Sequence, residues 1–233
     1  MKRVNLLAAG MLVLGQALSG GASAASVTLF GNTVDFTFDD SLLGLFGNPG
    51  MSGNTLVFTP VGFDAQAFNG NAFDLANQTV NIKVAAHQGF KISNVDLQER
   101  GDYLLLGPAS AVDVTGQIRV FDLANPASDF TSSIAAIAPT TTVGLPTHDW
   151  KAIAGLDVSA QNMTNANVTV QNLLIASAFS VDSLAFVEKK YAGLTVGTMS
   201  VTPVPEAETY AMMLAGLGLV GFATRRRRRC CTS

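Results

Sequence analysis

Three adjacent side chains, His148, Asp149 and Trp150, hold the densest chemistry in the sequence: a base, a carboxylate able to orient it, and the only tryptophan. Together they could form a small ligand site, the indole serving as a flat platform for a sugar ring. The plainer alternative, a surface loop whose tryptophan closes the core, is preferred. Nucleophilic catalysis of that kind also needs a serine on a G-x-S-x-G turn, and the chain has none. His87 stands apart, between two apolar stretches. There is no Cys/His set at zinc spacing, and Asp39-Asp40 lacks the D-x-D-x-D-G pattern of a calcium loop. Only four glutamates occur, two of them at Glu206 and Glu208, a thin supply for paired-carboxylate glycoside hydrolysis. Gly216, Gly218 and Gly221 satisfy G-x-G-x-x-G. The strand before and the acidic residue after that a dinucleotide site requires are missing. No metal, no cofactor and no enzymatic activity are expected.

A second set of residues points to processing. Val204-Pro205-Glu206 is followed by an apolar run from Tyr210 to Ala223 and then by Arg225, Arg226, Arg227, Arg228 and Arg229. Fourteen helical residues span roughly 21 Å, against a hydrocarbon core of about 30 Å, so the run is a short transmembrane helix. Tyr210, Leu214, Leu217, Leu219 and Phe222 are its membrane residues, and the arginines form a basic stop on the cytoplasmic side. Residues 230–233, with Cys230 and Cys231, make a short end. This arrangement resembles the PEP-CTERM sorting domain of exported proteins of Gram-negative bacteria. Its one departure is Ala207, where the family's Pro-Glu-Pro has its second proline. The resemblance implies recognition by exosortase, a membrane-embedded processing enzyme, and cleavage near Pro205-Glu206. It further implies a transient hold in the inner membrane, then delivery to the cell surface or to the exopolysaccharide matrix of a biofilm.

The other end carries a matching signal. Lys2 and Arg3 precede an apolar stretch from Val4 to Leu14, and Ala22-Ser23-Ala24 has the A-x-A form. Residues 1–24 therefore read as a secretory signal peptide, which engages the secretion translocon and is removed. The mature chain is expected to begin at Ala25 or Ser26.

Charge and cysteine usage constrain what lies between. From Ala25 to Pro205 there are 15 acidic residues against seven basic ones, a net of −8. Such a body repels nucleic acid and anionic lipid, so no nucleic-acid partner is expected. The only two cysteines lie beyond the arginines, so core burial rather than a disulfide framework must stabilise the body.

The body is rich in Gly, Asn, Thr, Ser, Val and Phe and alternates with period two. Val34, Phe36 and Phe38 fall on one face, as do Val80, Ile82 and Val84. Further strands are expected over 55–59, 90–97, 103–106, 111–121, 167–175 and 179–187. A phase slip at Ser93-Asn94 predicts a bulge, and Glu99 to Asp102 reads as a turn. Residues 63–75 and 128–142 read as irregular. The expectation is an all-β, antiparallel β-sandwich or jelly-roll-like body over 25–188, a linker over 189–203 and a sorting tail over 204–229. The function expected is a non-enzymatic exported surface or matrix protein. The alternative is an exported carbohydrate-binding module or carbohydrate-active enzyme using His148, Asp149 and Trp150.

Overall fold

Alternating apolar residues dictate the architecture: along most strands buried apolar positions alternate with more exposed ones, as at Val34, Phe36 and Phe38 of the second strand. A computed structural model describes residues 26–70, 73–201 and 211–220. The strands are β1 (Ser26–Phe30), β2 (Val34–Asp39), β3 (Gly50–Ser52), β4 (Thr55–Phe58), β5 (Asp64–Phe68) and β6 (Phe73–Ala86). They continue as β7 (Phe90–Leu106), β8 (Ser110–Asp122), β9 (Asp129–Ala136), β10 (His148–Asp157), β11 (Asn165–Ala178) and β12 (Leu184–Ser200). All pairings are antiparallel, in the order β1-β2-β6-β11-β8-β9-β10-β7-β12-β4-β3, with β5 also on β12. The sheet rolls so that β11 packs on β12 and β5 across the core, although it is hydrogen-bonded to neither. Its two ends approach where Asn32 N donates to Gly53 O at 3.3 Å and Thr33 N donates to Asn54 Oδ1 at 3.0 Å. The result is a near-barrel whose ends touch through the β1–β2 and β3–β4 turns, while β1 and β3 each pair on one side only.

The all-β antiparallel class agrees with the sequence. The sandwich or jelly roll does not hold in detail, because the strands form one sheet. The reason is β9. It lies in a segment without clean periodicity, pairs along β8, and joins β10 only at its end, through Ala135, Ala136 and the Ile137 N–H, which donates to Lys151 O at 2.8 Å. That narrow join is the bend between two layers. The Ser93-Asn94 bulge is present: Asn94 pairs with Gly197 and Ile92 with Thr198, which leaves Ser93 without a partner on β12.

Other strand boundaries differ from those the sequence implies. Residues 63–75 contain β5 and the start of β6, with Ala65 and Ala67 inward; small alanines carry that alternation, not the phenylalanines. Residues 179–183 are a turn, not the start of a strand, with Phe179 and Val181 exposed. The expected linker is not one as far as Ser200, because β12 runs through residues 189–200 as a central strand between β7 and β4. Its buried face there is Ala192, Leu194 and Val196, and its register shifts between Lys189 and Tyr191. That bulge switches the inward phase from 185, 187 and 189 to 192, 194 and 196.

The expected turn at Glu99–Asp102 is the middle of β7. Gly101 serves close approach there, not chain reversal. A Cβ at Gly101 would lie 1.8 Å from Glu188 O and 2.7 Å from the Trp150 ring. Gly101→Ala is therefore expected to destabilise the body by about 3 kcal/mol, because a backbone carbonyl and a buried indole cannot both give way. Gly50→Ala, with open space around its Cβ position, is expected to stay within about 0.5 kcal/mol of wild type. Urea denaturation of the two variants checks the pair; equal midpoints would refute the packing role.

Candidate functional site

In β10, side chains alternate between the two faces of the sheet, and this separates the three residues singled out by the sequence. Trp150 is 3% exposed and Asp149 faces outward, with His148 on the tryptophan's side. Trp150 Nε1 donates to Glu188 O at 3.0 Å. The indole is thus a core element, and it offers no platform to a sugar. His148 lies against Tyr103, ring centres 5.5 Å apart, and its buried Nε2 has no hydrogen-bond partner. Asp149 pairs in register with Asp102 on the outer face. His148 and Asp149 therefore do not meet as base and orienting carboxylate. Elsewhere, His87 Nε2 contacts Asp35 Oδ1 at 2.7 Å, and Asp39 accepts from Ser41 N at 3.0 Å to cap a short turn. Among the described residues, no group of three His, Cys, Asp or Glu could hold a metal ion.

The concentrated chemistry lies deeper, on residues the sequence reading passed over. Three polar side chains, Glu99 of β7, Asn172 of β11 and Lys189 of β12, converge inside the core, each 0–1% exposed. Lys189 Nζ is 2.7 Å from Glu99 Oε2 and donates to Asn172 Oδ1. Neither oxygen of Glu99 has a well-aligned hydrogen bond. Asn172 Nδ2 donates to Gln171 O at 3.2 Å. Glu99 and Lys189 come from neighbouring strands of one layer, and Asn172 reaches them from the facing layer.

Aromatic rings enclose the cluster. Lys189 Nζ lies 4.9 Å from the centre of Phe63, 5.7 Å from Phe46 and 6.0 Å from Trp150. Phe46 meets Phe63 edge-on at 5.6 Å and Phe58 at 5.3 Å. The faces of these rings attract a cation, but they exclude the water that would otherwise solvate it. Lys189 N also donates to Phe63 O at 2.9 Å, tying the ring-bearing loop to the β12 bulge. Next to Asn172 in register stands Gly116 of β8, at φ +153°, where a Cβ would lie 2.1 Å from Gln171 O. The strand thus comes close to the asparagine because a glycine stands there.

Burial dominates the titration of both charged groups. It pulls the Lys189 amine down from 10.5 to about 8, against the opposing pull of Glu99. Burial also raises the Glu99 carboxyl above its ordinary value, although Lys189 and Asn172 work to lower it. Both shifts favour the uncharged forms, a carboxylic acid beside a free amine. The only signal in the sequence was the pairing of inward strand phase with charge: Glu99 continues the inward series of Val95 and Leu97, and Lys189 that of Ala185 and Val187.

The tail is described in part. Residues 211–220 are helical and exposed, Leu214, Leu217 and Leu219 among them. At about 1.5 Å per residue this stretch is about 15 Å long. Among the described residues no helix is long and apolar enough to cross a membrane. The expected signal peptide over 1–24, the motif Val204-Pro205-Glu206, Tyr210, Phe222 and the five arginines lie outside the described residues.

Comparison with known proteins bears on the tail. The family model of the PEP-CTERM protein-sorting motif matches residues 203–228. No curated protein sequence matches the chain. Among solved structures, a chain in "Structure of infectious bursal disease virus Gt strain" is similar over 70% of this chain, at 10% identity and a TM-score of 0.19. This chain spans 47% of that one's length.

Glu99→Ala would leave the Lys189 nitrogen buried without its counter-charge. It is expected to cost about 3–5 kcal/mol, as broken buried pairs do. Urea denaturation checks this; a midpoint within error of wild type would contradict it.

Proposed function

We propose, from the PEP-CTERM sorting motif that this chain carries over residues 203–228, that the β body is the cargo of an exosortase-processed export route. The motif makes the protein an exported one sorted by that membrane enzyme. The translocon takes up the chain through residues 1–24, and the apolar run from Tyr210 to Ala223 halts in the inner membrane with Arg225–Arg229 on the cytoplasmic side. Fourteen residues are a tight fit to the bilayer, which suits a temporary hold. Cleavage near Pro205-Glu206 then releases the body to the cell surface or matrix. There it acts as a non-enzymatic structural protein in contact with exopolysaccharide.

The supporting observation is the motif, together with a body suited to such a place. The body is acidic and has no cysteine. Burial of Trp150 removes the sugar platform that favoured the carbohydrate-active alternative.

Intact-mass measurement of the protein from its native envelope is expected to show a chain beginning at Ala25 or Ser26 and ending near Pro205. A mature chain that still carries the five arginines would rule out the cleavage. When the matrix is sheared off, the protein is expected to co-fractionate with exopolysaccharide. Recovery entirely in polysaccharide-free medium would contradict the matrix assignment.

A further inference from the structure

We infer that Lys189 and Asn172 are the two halves of an intramolecular isopeptide bond, with Glu99 as the proton-transferring group that forms it. Three observations place the reaction here. The nucleophile and the acceptor touch: Lys189 Nζ lies against the carboxamide of Asn172. A carboxyl group able to exchange protons with both stands 2.7 Å from that nitrogen, and its oxygens are not committed to any well-aligned hydrogen bond. Phe46, Phe63 and Trp150 shield the site, so water does not compete for the acyl carbon.

The chemistry balances within the three side chains. Glu99 takes one proton from the Lys189 ammonium, leaving a free amine and a neutral carboxylic acid. Burial favours both of those forms. The amine lone pair attacks Cγ of Asn172, and the C=O π pair moves onto Oδ1, where the acid proton of Glu99 stabilises it. Glu99 then carries a proton from the attacking nitrogen to the departing one. The Cγ–Nδ2 bond breaks, its electron pair leaves with the nitrogen, and the C=O bond re-forms. One amide and one ammonia result, and Glu99 ends as an uncharged acid. No oxidant, metal or cofactor takes part. The product replaces a buried ion pair with neutral groups, which removes the desolvation penalty that the free side chains carry.

Position gives the bond its effect. Asn172 and Lys189 are 17 residues apart, on strands that face each other across the core without sharing hydrogen bonds. The link would fasten one layer to the other at its centre. An exported body with no cysteine would thereby gain a covalent brace that reducing agents do not open.

The test is made on the purified exported protein, denatured and digested with trypsin. No Lys or Arg lies between Lys151 and Lys189, so both partners fall in one peptide. The linked chain is expected to resist cleavage after Lys189 and to yield the peptide 152–190, lighter than its sequence by one ammonia. Fragmentation of that peptide should release nothing from breaks between residues 172 and 189, because the bridge closes that ring. This also separates a bridge from an asparagine that has merely cyclised onto its own backbone. Cleavage after Lys189 in a peptide of full mass would overturn the inference. Loss of water with Lys189 joined to the peptide carrying Glu99 would overturn the choice of Asn172. Glu99→Gln, nearly the same in shape, is expected to leave Lys189 open to trypsin; a complete bridge in that variant would remove Glu99 from the reaction. The wild-type digest decides the bond itself even if the variant does not fold.

Discussion

Placing an ammonium group inside an apolar core is the costliest thing this fold does, and much of the surrounding structure is arranged around it. Lys189 is 1% exposed. Transferring such a charge from water costs several kcal/mol even after relaxation. Its attraction to Glu99 at 2.7 Å offsets part of that cost, and the ring faces of Phe46, Phe63 and Trp150 offset more. The bulge after Lys189 keeps the lysine inward while the strand changes phase. Gly101 leaves room for Trp150 beside it, and Gly116 lets β8 come close to Asn172. Strand pairing alone accounts for none of these features. Closing Asn172 onto Lys189 would also restrict the unfolded chain; for a loop of this size the chain-entropy model gives about 3 kcal/mol.

The body and the tail follow separate physical logics. The body is one antiparallel sheet whose ends almost meet. Its stability comes from alternating aliphatic and phenylalanine side chains, with one polar cluster at the centre. The helix over 211–220 has every residue exposed, so it adds nothing to the core and leaves an apolar surface for something else to cover. Removing such a tail subtracts no buried contact of the described helix from the body. That independence is what a cleavable sorting signal requires.

Period-two alternation made much of the fold legible. Val34, Phe36 and Phe38, and likewise Val80, Ile82 and Val84, are inward as their spacing implies. Alternation failed in β5, where alanines took the inward positions and give little hydrophobic contrast, and in the second half of β12, where the register shift after Lys189 breaks the period before Ala192, Leu194 and Val196 resume it. It failed again at Glu99 to Asp102, where charge and glycine resemble a turn. The charge there serves the buried pair, and the glycine serves Trp150. His148, Asp149 and Trp150 drew notice because they are adjacent, yet adjacency in a strand places neighbours on opposite faces. The polar cluster was not legible: its members lie at positions 99, 172 and 189, and only the pairing of β7 with β12 and the packing of β11 across them bring the three together.

The state of the Lys189 nitrogen tests the central claim most directly. With lysine labelled at Nζ with nitrogen-15, and asparagine labelled at Cγ with carbon-13, heteronuclear NMR reads it in the folded protein. The account predicts one lysine Nζ bearing a single proton, resonating in the amide region and coupled to the Asn172 carbonyl carbon. Every lysine Nζ resonating in the ammonium or amine region, with no coupling to any carbonyl carbon, would contradict it.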